Sequence, residues 1–255
     1  MADKDNVFHI DSLLNGVDFR FNDGTDDEQE YFMLYILLFE NLYRIYRPKT
    51  MDYVLAHIDE DVDNIYKKLS SQPEQLNEQY NKTVEDVLTK SDIPKENIPK
   101  AKISKDRLKN LIKEQKQTLK NICEELKGQI KSTIYYIKNR NDGEGAFKIE
   151  PYFDRVVSRI KKMVTSGVQS ANDNAIRESY MFLYGNPLVN IVTKHDDKVC
   201  NVCADLEANN PYFLFDCPVL PVHPYCRCRI ETVDGKGITQ LPLTDEASKL
   251  RYYDI

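Results

Sequence analysis

The stretch CNVCADLEANNPYFLFDCPVLPVHPYCRCRIETV, residues 200 to 233, holds five of the six cysteines of this 255-residue chain and one of its four histidines. Apart from Cys217, these residues form two groups. Two cysteines three positions apart in a tight turn can direct both sulfurs to one point, and a distant imidazole with a thiol completes the tetrahedron that Zn²⁺ prefers. The segment has no long apolar periodicity, so we expect a bound ion to hold its shape. The candidate metal ligands are Cys200, Cys203, His223, Cys226 and Cys228.

Five candidate donors compete for the four places around a zinc ion. Because His223 and Cys226 repeat the three-residue step of the first cysteine pair, we favour Cys226 as the fourth ligand and keep Cys228 as its rival. Cys217 is expected not to be a ligand. The alternatives are free buried thiols, a disulfide set and an iron–sulfur cluster, and the histidine favours zinc over the cluster. No open coordination position is implied, so we expect one structural zinc per chain.

The composition favours long helices and a reducing compartment. Only 9 glycines are present, and 30 % of the residues are charged. No apolar run approaches the ~20 residues of a membrane helix, and the first residues, MADKDNVFHI, lack the pattern of a signal peptide. We therefore expect no membrane contact and synthesis in a cytoplasm, where clustered cysteines bind metal more often than they pair as disulfides.

Apolar side chains at helical spacing predict most of the fold. Thr25 to Glu28 has the form of a capping box, and Pro48 ends the helix that follows it. Further apolar stripes predict helices over residues 51–69, 73–88, 104–138 and 151–183.

After Pro187 the sequence pattern changes from helical spacing of apolar residues to short strand-like runs. Residues 188–193 and 229–233 are typical of strands. We predict a mainly α protein with a small C-terminal α+β module: long helices packed as a bundle or coiled coil, and a zinc-stapled knuckle between short strands. The predicted segments are an acidic helical region (1–99), long antiparallel helices of which the first is basic (100–187), and the Cys/His module with its tail (188–255).

Charge is distributed unevenly along the chain. Residues 1–99 carry 21 acidic and 10 basic side chains, whereas residues 100–140 carry 12 basic and 4 acidic ones. The basic helix has three interpretations: a DNA-binding element that contacts phosphates, the solvated outer face of a coiled coil, or a docking element for an acidic protein, including this chain's own first half.

The residues from Asp197 to Cys203 (DKVCNVC) and from Pro221 to Cys228 (PVHPYCRC) resemble the signature of the phage Mu protein F-like head-morphogenesis family. In that family a D-x-x-C-x-x-C turn is followed by a proline-bearing stretch and then H-P-x-C-R-C before a short strand. The resemblance covers roughly residues 188–234. It is looser over the preceding helix, where Arg177, Glu178 and Ser179 occupy positions that the family fills with polar residues.

The resemblance implies a non-enzymatic minor head protein of a tailed bacteriophage, made in the host cytoplasm and carried in the head or portal region of the virion. Such proteins are oligomeric in the virion, associate with portal or capsid proteins, and act in head assembly or in DNA packaging and ejection. This sequence departs from the pattern in two places. Residues 207–210 replace a small glycine-containing turn, and Cys217 is additional.

Two other functions compete with a structural role. The first is a nucleic-acid-binding zinc module that uses the Lys-rich helix. The second is an enzyme, which we rank last because no nucleophile is placed in a recognisable turn. His195 is expected to be a turn residue, and Asp197 is expected to cap the knuckle by accepting backbone N–H bonds. Arg227 and Arg229 either neutralise thiolate charge or bind a neighbouring chain.

Overall fold

The computed structural model describes residues 17–21, 24–91, 105–140, 143 and 146–233 of the chain. The described residues are mostly helical, with a small antiparallel sheet near their C-terminal end, and this confirms the predicted fold class. Six helices, one 3₁₀ turn and three strands follow in the order α1 (Asp26–Tyr46), α2 (Met51–Leu69), the 3₁₀ turn (Gln72–Gln75), α3 (Leu76–Lys90), α4 (Asp106–Asn139), α5 (Glu150–Tyr184), β1 (Leu188–Val192), α6 (Asn201–Ala208), β2 (Tyr212–Phe213) and β3 (Arg229–Thr232).

The chain divides into two compact units, residues 1–75 with 112–167 and residues 76–111 with 168–255. The three segments expected from the sequence, 1–99, 100–187 and 188–255, stay a prediction, and the first boundary lies outside the described residues. Within the described part of the chain, no helix is both long enough and apolar enough to cross a membrane.

The first unit begins with the predicted capping box. The Thr25 hydroxyl accepts a hydrogen bond from the backbone N–H of Glu28, and the Glu28 carboxylate accepts one from the N–H of Thr25 at 2.8 Å. These two bonds satisfy N–H groups that the first turn of a helix leaves without partners. Further along α1, Tyr43 is buried and its ring lies 5.3 Å from the ring of Phe153 on α5. The helix therefore packs inside the bundle, and its buried residues lie on several of its sides.

Ion pairs join the basic helix α4 to the acidic first part of the chain. At least four lysines of α4 reach carboxylates on α2 or on the 3₁₀ turn, and the pairing runs in opposite directions along α2 and α4, so these helices are antiparallel. This finding favours the interpretation that the basic helix docks on this chain's own acidic first half, because acidic residues of that half pair with these lysines. The pairs are Lys116–Glu74, Lys127–Asp63, Lys131–Asp59 and Lys138–Asp52.

The second unit contains a three-stranded sheet in the order β2-β1-β3, with both neighbours of β1 antiparallel to it. Val189 and Ile191 on β1 are fully buried, and the three residues that alternate with them are partly exposed, as expected for a strand with one covered face. β1 and β3 confirm the two predicted strands. The short strand β2 and the helix α6 were not predicted. The sheet packs with the buried cysteines Cys203 and Cys226 in one apolar cluster.

Candidate metal centre

The first cysteine pair lies at the start of α6. Cys200 is the N-cap of this helix, with an extended backbone (φ −82°, ψ 161°), and its sulfur accepts a bond from the N–H of Cys203 at 3.5 Å. An N-cap residue and the third residue of its helix face the same side, because the first turn brings them together. The turn predicted for this pair is therefore the first turn of a helix, and it directs both sulfurs to one side.

A second turn presents the histidine and the later cysteines. The N–H of Cys226 donates to the carbonyl of His223 at 3.1 Å, and Tyr225 between them has a left-handed backbone with φ 62°. The Nδ1 atom of His223 lies 2.8 Å from the carbonyl oxygen of Pro224. A carbonyl can only accept, so Nδ1 carries the proton and Nε2 keeps a free lone pair. This is how proteins commonly fix the tautomer of a metal-binding histidine.

The two turns converge on one point. The Nε2 atom of His223 lies 3.1 Å from the sulfur of Cys200 and 3.0 Å from that of Cys203. The sulfur of Cys203 also lies 3.9 Å from that of Cys226. The five donors form two triads that share Cys203, and within each triad all donor atoms lie within 4.8 Å of one another. The triads are Cys200, Cys203 and His223, and Cys203, Cys226 and Cys228.

Cys217 lies apart from these triads. Its side chain is buried, and its sulfur lies 3.6 Å from a guanidinium nitrogen of Arg177. Burial raises the pKa of the Cys217 thiol.

Burial differs among the donors. Cys203 and Cys226 are buried, whereas Cys200 and Cys228 are partly exposed. The N–H bond from Cys203 lowers the pKa of the Cys200 thiol, while burial raises the pKa of Cys203 and brings that of Cys228 to about 11. Without a cation the central thiol of Cys203 is therefore protonated. A metal ion that binds here must displace that proton, so metal affinity falls as the pH falls.

The donor set defines which ions fit. Four thiols and one imidazole are soft to borderline ligands, which suit Zn²⁺ and iron–sulfur centres rather than Mg²⁺ or Ca²⁺. The Cys/His cluster could hold a metal ion, since its donors already converge and the histidine presents its free nitrogen.

An ion pair ties the two metal-binding turns together. Arg227, between the last two cysteines, donates to both carboxylate oxygens of Asp196 at 2.5 and 2.6 Å. The same carboxylate accepts the N–H of Lys198 at 3.0 Å, and its pKa is lowered to about 2 by Arg227. We assigned the capping role to Asp197, and this was wrong, because Asp196 accepts the bond. Sequence reasoning missed this ion pair. An aspartate just before the first cysteine turn and an arginine inside the second turn are the signal that could have indicated it.

Two further residues near the cluster, Arg229 and His195, have local partners. Arg229 pairs with Glu231 at 2.6 Å. His195 has a left-handed backbone (φ 53°), as a turn residue can have, and its Nε2 lies 2.7 Å from the carboxylate of Glu207. Glu207 also accepts the N–H and the hydroxyl of Thr193, so the substituted stretch 207–210 connects α6 to the end of β1.

Comparisons of the chain with protein-family models, with curated proteins and with solved structures gave no match. Function is therefore inferred from the cluster and from the residues that carry the resemblance. The family remains an expectation.

Proposed function

We propose that this chain is a non-enzymatic minor head protein of a tailed bacteriophage, whose C-terminal module is held by one structural zinc ion. The observation that carries the proposal is the convergence of His223 Nε2 on the sulfurs of Cys200 and Cys203, at 3.1 and 3.0 Å. These residues belong to the two sequence patterns that resemble the phage Mu protein F-like family. The resemblance thus coincides with a cluster that could hold a metal.

Zinc suits the donor set because it takes four ligands in a tetrahedron and accepts both thiolate and imidazole. The first three ligands are Cys200, Cys203 and His223. We favour Cys226 as the fourth, because it is 1 % exposed and its sulfur lies 3.9 Å from that of Cys203. Cys228 is the rival. When bound, zinc supplies a redox-inert cross-link between the turn that opens α6 and the turn that precedes β3.

A structural role for the ion follows from the number of donors. Catalytic zinc keeps one position for water and takes three protein ligands. Here two triads of protein donors share Cys203, so a fourth side chain is available next to the first three ligands and would leave no place for a reacting water. This argument supports a non-enzymatic function.

Exposed apolar side chains on the Cys/His module support a protein partner. Four large hydrophobic residues of this module are 44 to 62 % exposed, and a bound protein partner would cover them. We propose portal or capsid proteins as the partners and the head or portal region of the virion as the location. The exposed residues are Val202, Phe213, Phe215 and Val219.

DNA binding by the basic helix is the second candidate function. Half of the eight basic residues of α4 pair with carboxylates elsewhere in the chain, and a fifth, Lys109, pairs with Asp106 of the same helix. The helix therefore has less free positive charge than its sequence indicates.

The proposal is tested by co-expressing the chain with the portal and capsid proteins encoded beside its gene. We expect the tagged chain to co-purify with one of them. His223→Ala should abolish this association, whereas His57→Ala, an exposed histidine on α2, should leave it intact. No association of the wild-type chain with any of these proteins, or equal association of both variants, would contradict the proposal.

A further inference from the structure

Arg177 is a buried charged residue whose role is not explained by the metal cluster. It lies on α5 and is 5 % exposed. Its Nε atom donates at 2.7 Å to the carboxylate of Asp173, one turn earlier, and Asp173 is 4 % exposed. A buried ion pair loses the hydration of two charges, and good geometry and further hydrogen bonds are needed to offset that loss. The partners of the remaining donors therefore indicate what the pair does.

The other donors of Arg177 bind the backbone of one loop. Nη1 donates to the carbonyls of Leu214 and Cys217 at 3.2 and 3.0 Å, and Nη2 donates to the carbonyl of Pro218. Asp173 accepts the N–H of Leu220 at 3.3 Å. The ion pair thus holds four backbone groups of residues 214–220. Charge-assisted bonds of this kind are stronger than neutral ones, and buried carbonyls in a loop need such partners.

This loop delivers the second metal-binding turn. It ends three residues before His223, and its apolar side chains share the core that contains Cys203 and Cys226. Leu214 and Leu220 are 2 and 3 % exposed. The location of His223 relative to the first cysteine pair therefore depends on where this loop is fixed.

The same arginine separates Cys217 from the metal ligands. The sulfur of Cys217 lies 3.6 Å from Nη2, and its carbonyl accepts from Nη1. Cys217 shares the buried core with Cys203 and Cys226 but belongs to neither donor triad. The contact with Arg177 distinguishes the one excluded cysteine from the four that converge.

We infer that Arg177, paired with Asp173, is a metal-independent anchor for the Cys/His module. It fixes residues 214–220 against α5 before any ion binds, brings His223 to the first cysteine pair, and keeps Cys217 out of the ligand set. Arg177 is thus a positioning residue. The inference that this helps metal binding rests on the proposed zinc site, whereas the anchoring of the loop does not depend on the ion.

Alkylation of thiols, read by mass spectrometry at each cysteine, tests the anchor in the wild-type full-length chain. After the metal is removed with a chelator, we expect the partly exposed Cys200 and Cys228 to react, while Cys217 reacts at least roughly tenfold more slowly because its loop stays docked. Cys123, buried in α4, is an internal reference for a protected thiol. If Cys217 reacts as fast as Cys200 and Cys228 after chelation, the loop is held by the metal and the inference fails.

Two variants test the arginine itself. Arg177→Lys keeps the charge but loses the planar fork that reaches several carbonyls, and Arg177→Met removes the charge. We expect rapid alkylation of Cys217 in Arg177→Lys and at least roughly tenfold weaker binding of Co²⁺, followed by its thiolate absorption band. Arg155→Met, on an exposed face of the same helix, should match the wild type in both measurements.

The outcomes separate this inference from the proposed function. If Arg177→Lys keeps Cys217 protected and binds Co²⁺ like the wild type, the anchor is refuted even though the metal site stands. If the wild-type chain binds no metal, the zinc proposal fails, while the reactivity of Cys217 still decides whether Arg177 holds the loop. Should Arg177→Met fail to fold by circular dichroism, the wild-type chelation result and Arg177→Lys decide the matter.

Discussion

Replacing three aspartates of α2 by asparagine should release three lysines of α4 for contact with DNA phosphates. In the wild-type chain each of these lysines pairs with one aspartate of α2, and two of the pairs have N–O distances of 2.7 Å. Lys127 also pairs with Glu124 of its own helix at 3.0 Å, so its release is partial and three released lysines are an upper limit. A lysine that leaves a carboxylate for a phosphate loses its ion pair within the protein, so the α2 carboxylates compete with DNA for these lysines. The substitutions are Asp52→Asn, Asp59→Asn and Asp63→Asn, which release Lys138, Lys131 and Lys127.

The size of the effect follows from counterion release. Each lysine that newly neutralises a phosphate steepens the dependence of log K on log salt by about 0.9, so three lysines add up to about 2.7. The four basic residues of α4 without these interhelical partners limit the wild-type contribution of this helix to about 3.6. Asparagine has nearly the shape of aspartate, and exposed ion pairs contribute little to stability, so the bundle should remain folded.

Fluorescence anisotropy with a short DNA duplex, measured over a series of KCl concentrations, gives these slopes. A control variant neutralises three exposed glutamates instead (Glu30→Gln, Glu60→Gln and Glu85→Gln), so it matches the change in net charge. We expect the aspartate variant to have a steeper slope than both the control and the wild type. Equal slopes for the two variants would refute the reasoning that the α2 carboxylates occupy the lysines of α4.

Two further predictions concern the second unit. The Tyr80 hydroxyl donates to the carboxylate of Glu178, whose pKa is raised by burial and lowered in part by this bond. Tyr80→Phe should therefore raise that pKa further. The stability that a raised carboxyl pKa contributes is fully present below the ordinary value of 4.5 and is lost as the pH rises through the folded-state pKa. The variant should therefore lose about 1–3 kcal/mol near pH 7 and less near pH 4, in urea denaturation. Ile191→Ala, at a fully buried position of β1, should lower the unfolding free energy by about 2–5 kcal/mol, whereas Ile45→Ala, 47 % exposed, should change it far less. Equal effects of Tyr80→Phe at both pH values, or of the two isoleucine variants, would contradict these predictions.

Much of the helical fold follows from sequence because its causes are local. The capping box at Thr25 and the apolar stripes of α2 and α4 depend on residues three or four positions apart, and the structure confirms them. The strands β1 and β3 were also predicted, because short β-branched runs there are bounded by turns. The helix α6 was missed, since its eight residues have no apolar stripe and its N-cap is a cysteine rather than a usual capping residue.

For the candidate metal centre, the ligands could be predicted from the sequence, whereas the residues that support them could not. Its five donors are visible in the sequence as two spaced patterns, and the structure places them in two triads that share Cys203. The groups that support it were not predicted. Asp196 and Arg227 are 31 positions apart, and Arg177 binds carbonyls 37 to 41 positions away. Backbone carbonyls carry no residue-specific pattern, so a side chain that binds them leaves no sign in the sequence.

The metal content of the native chain is the most direct test of the central claim. The chain is purified under reducing conditions without chelators. Its zinc content is then measured by inductively coupled plasma mass spectrometry for the wild type, Cys200→Ser and Cys123→Ser. We predict one zinc ion per chain in the wild type and in Cys123→Ser, and none in Cys200→Ser. A wild-type chain without metal, or a full complement of zinc in Cys200→Ser, would contradict the proposal that zinc joins the two turns of the Cys/His module.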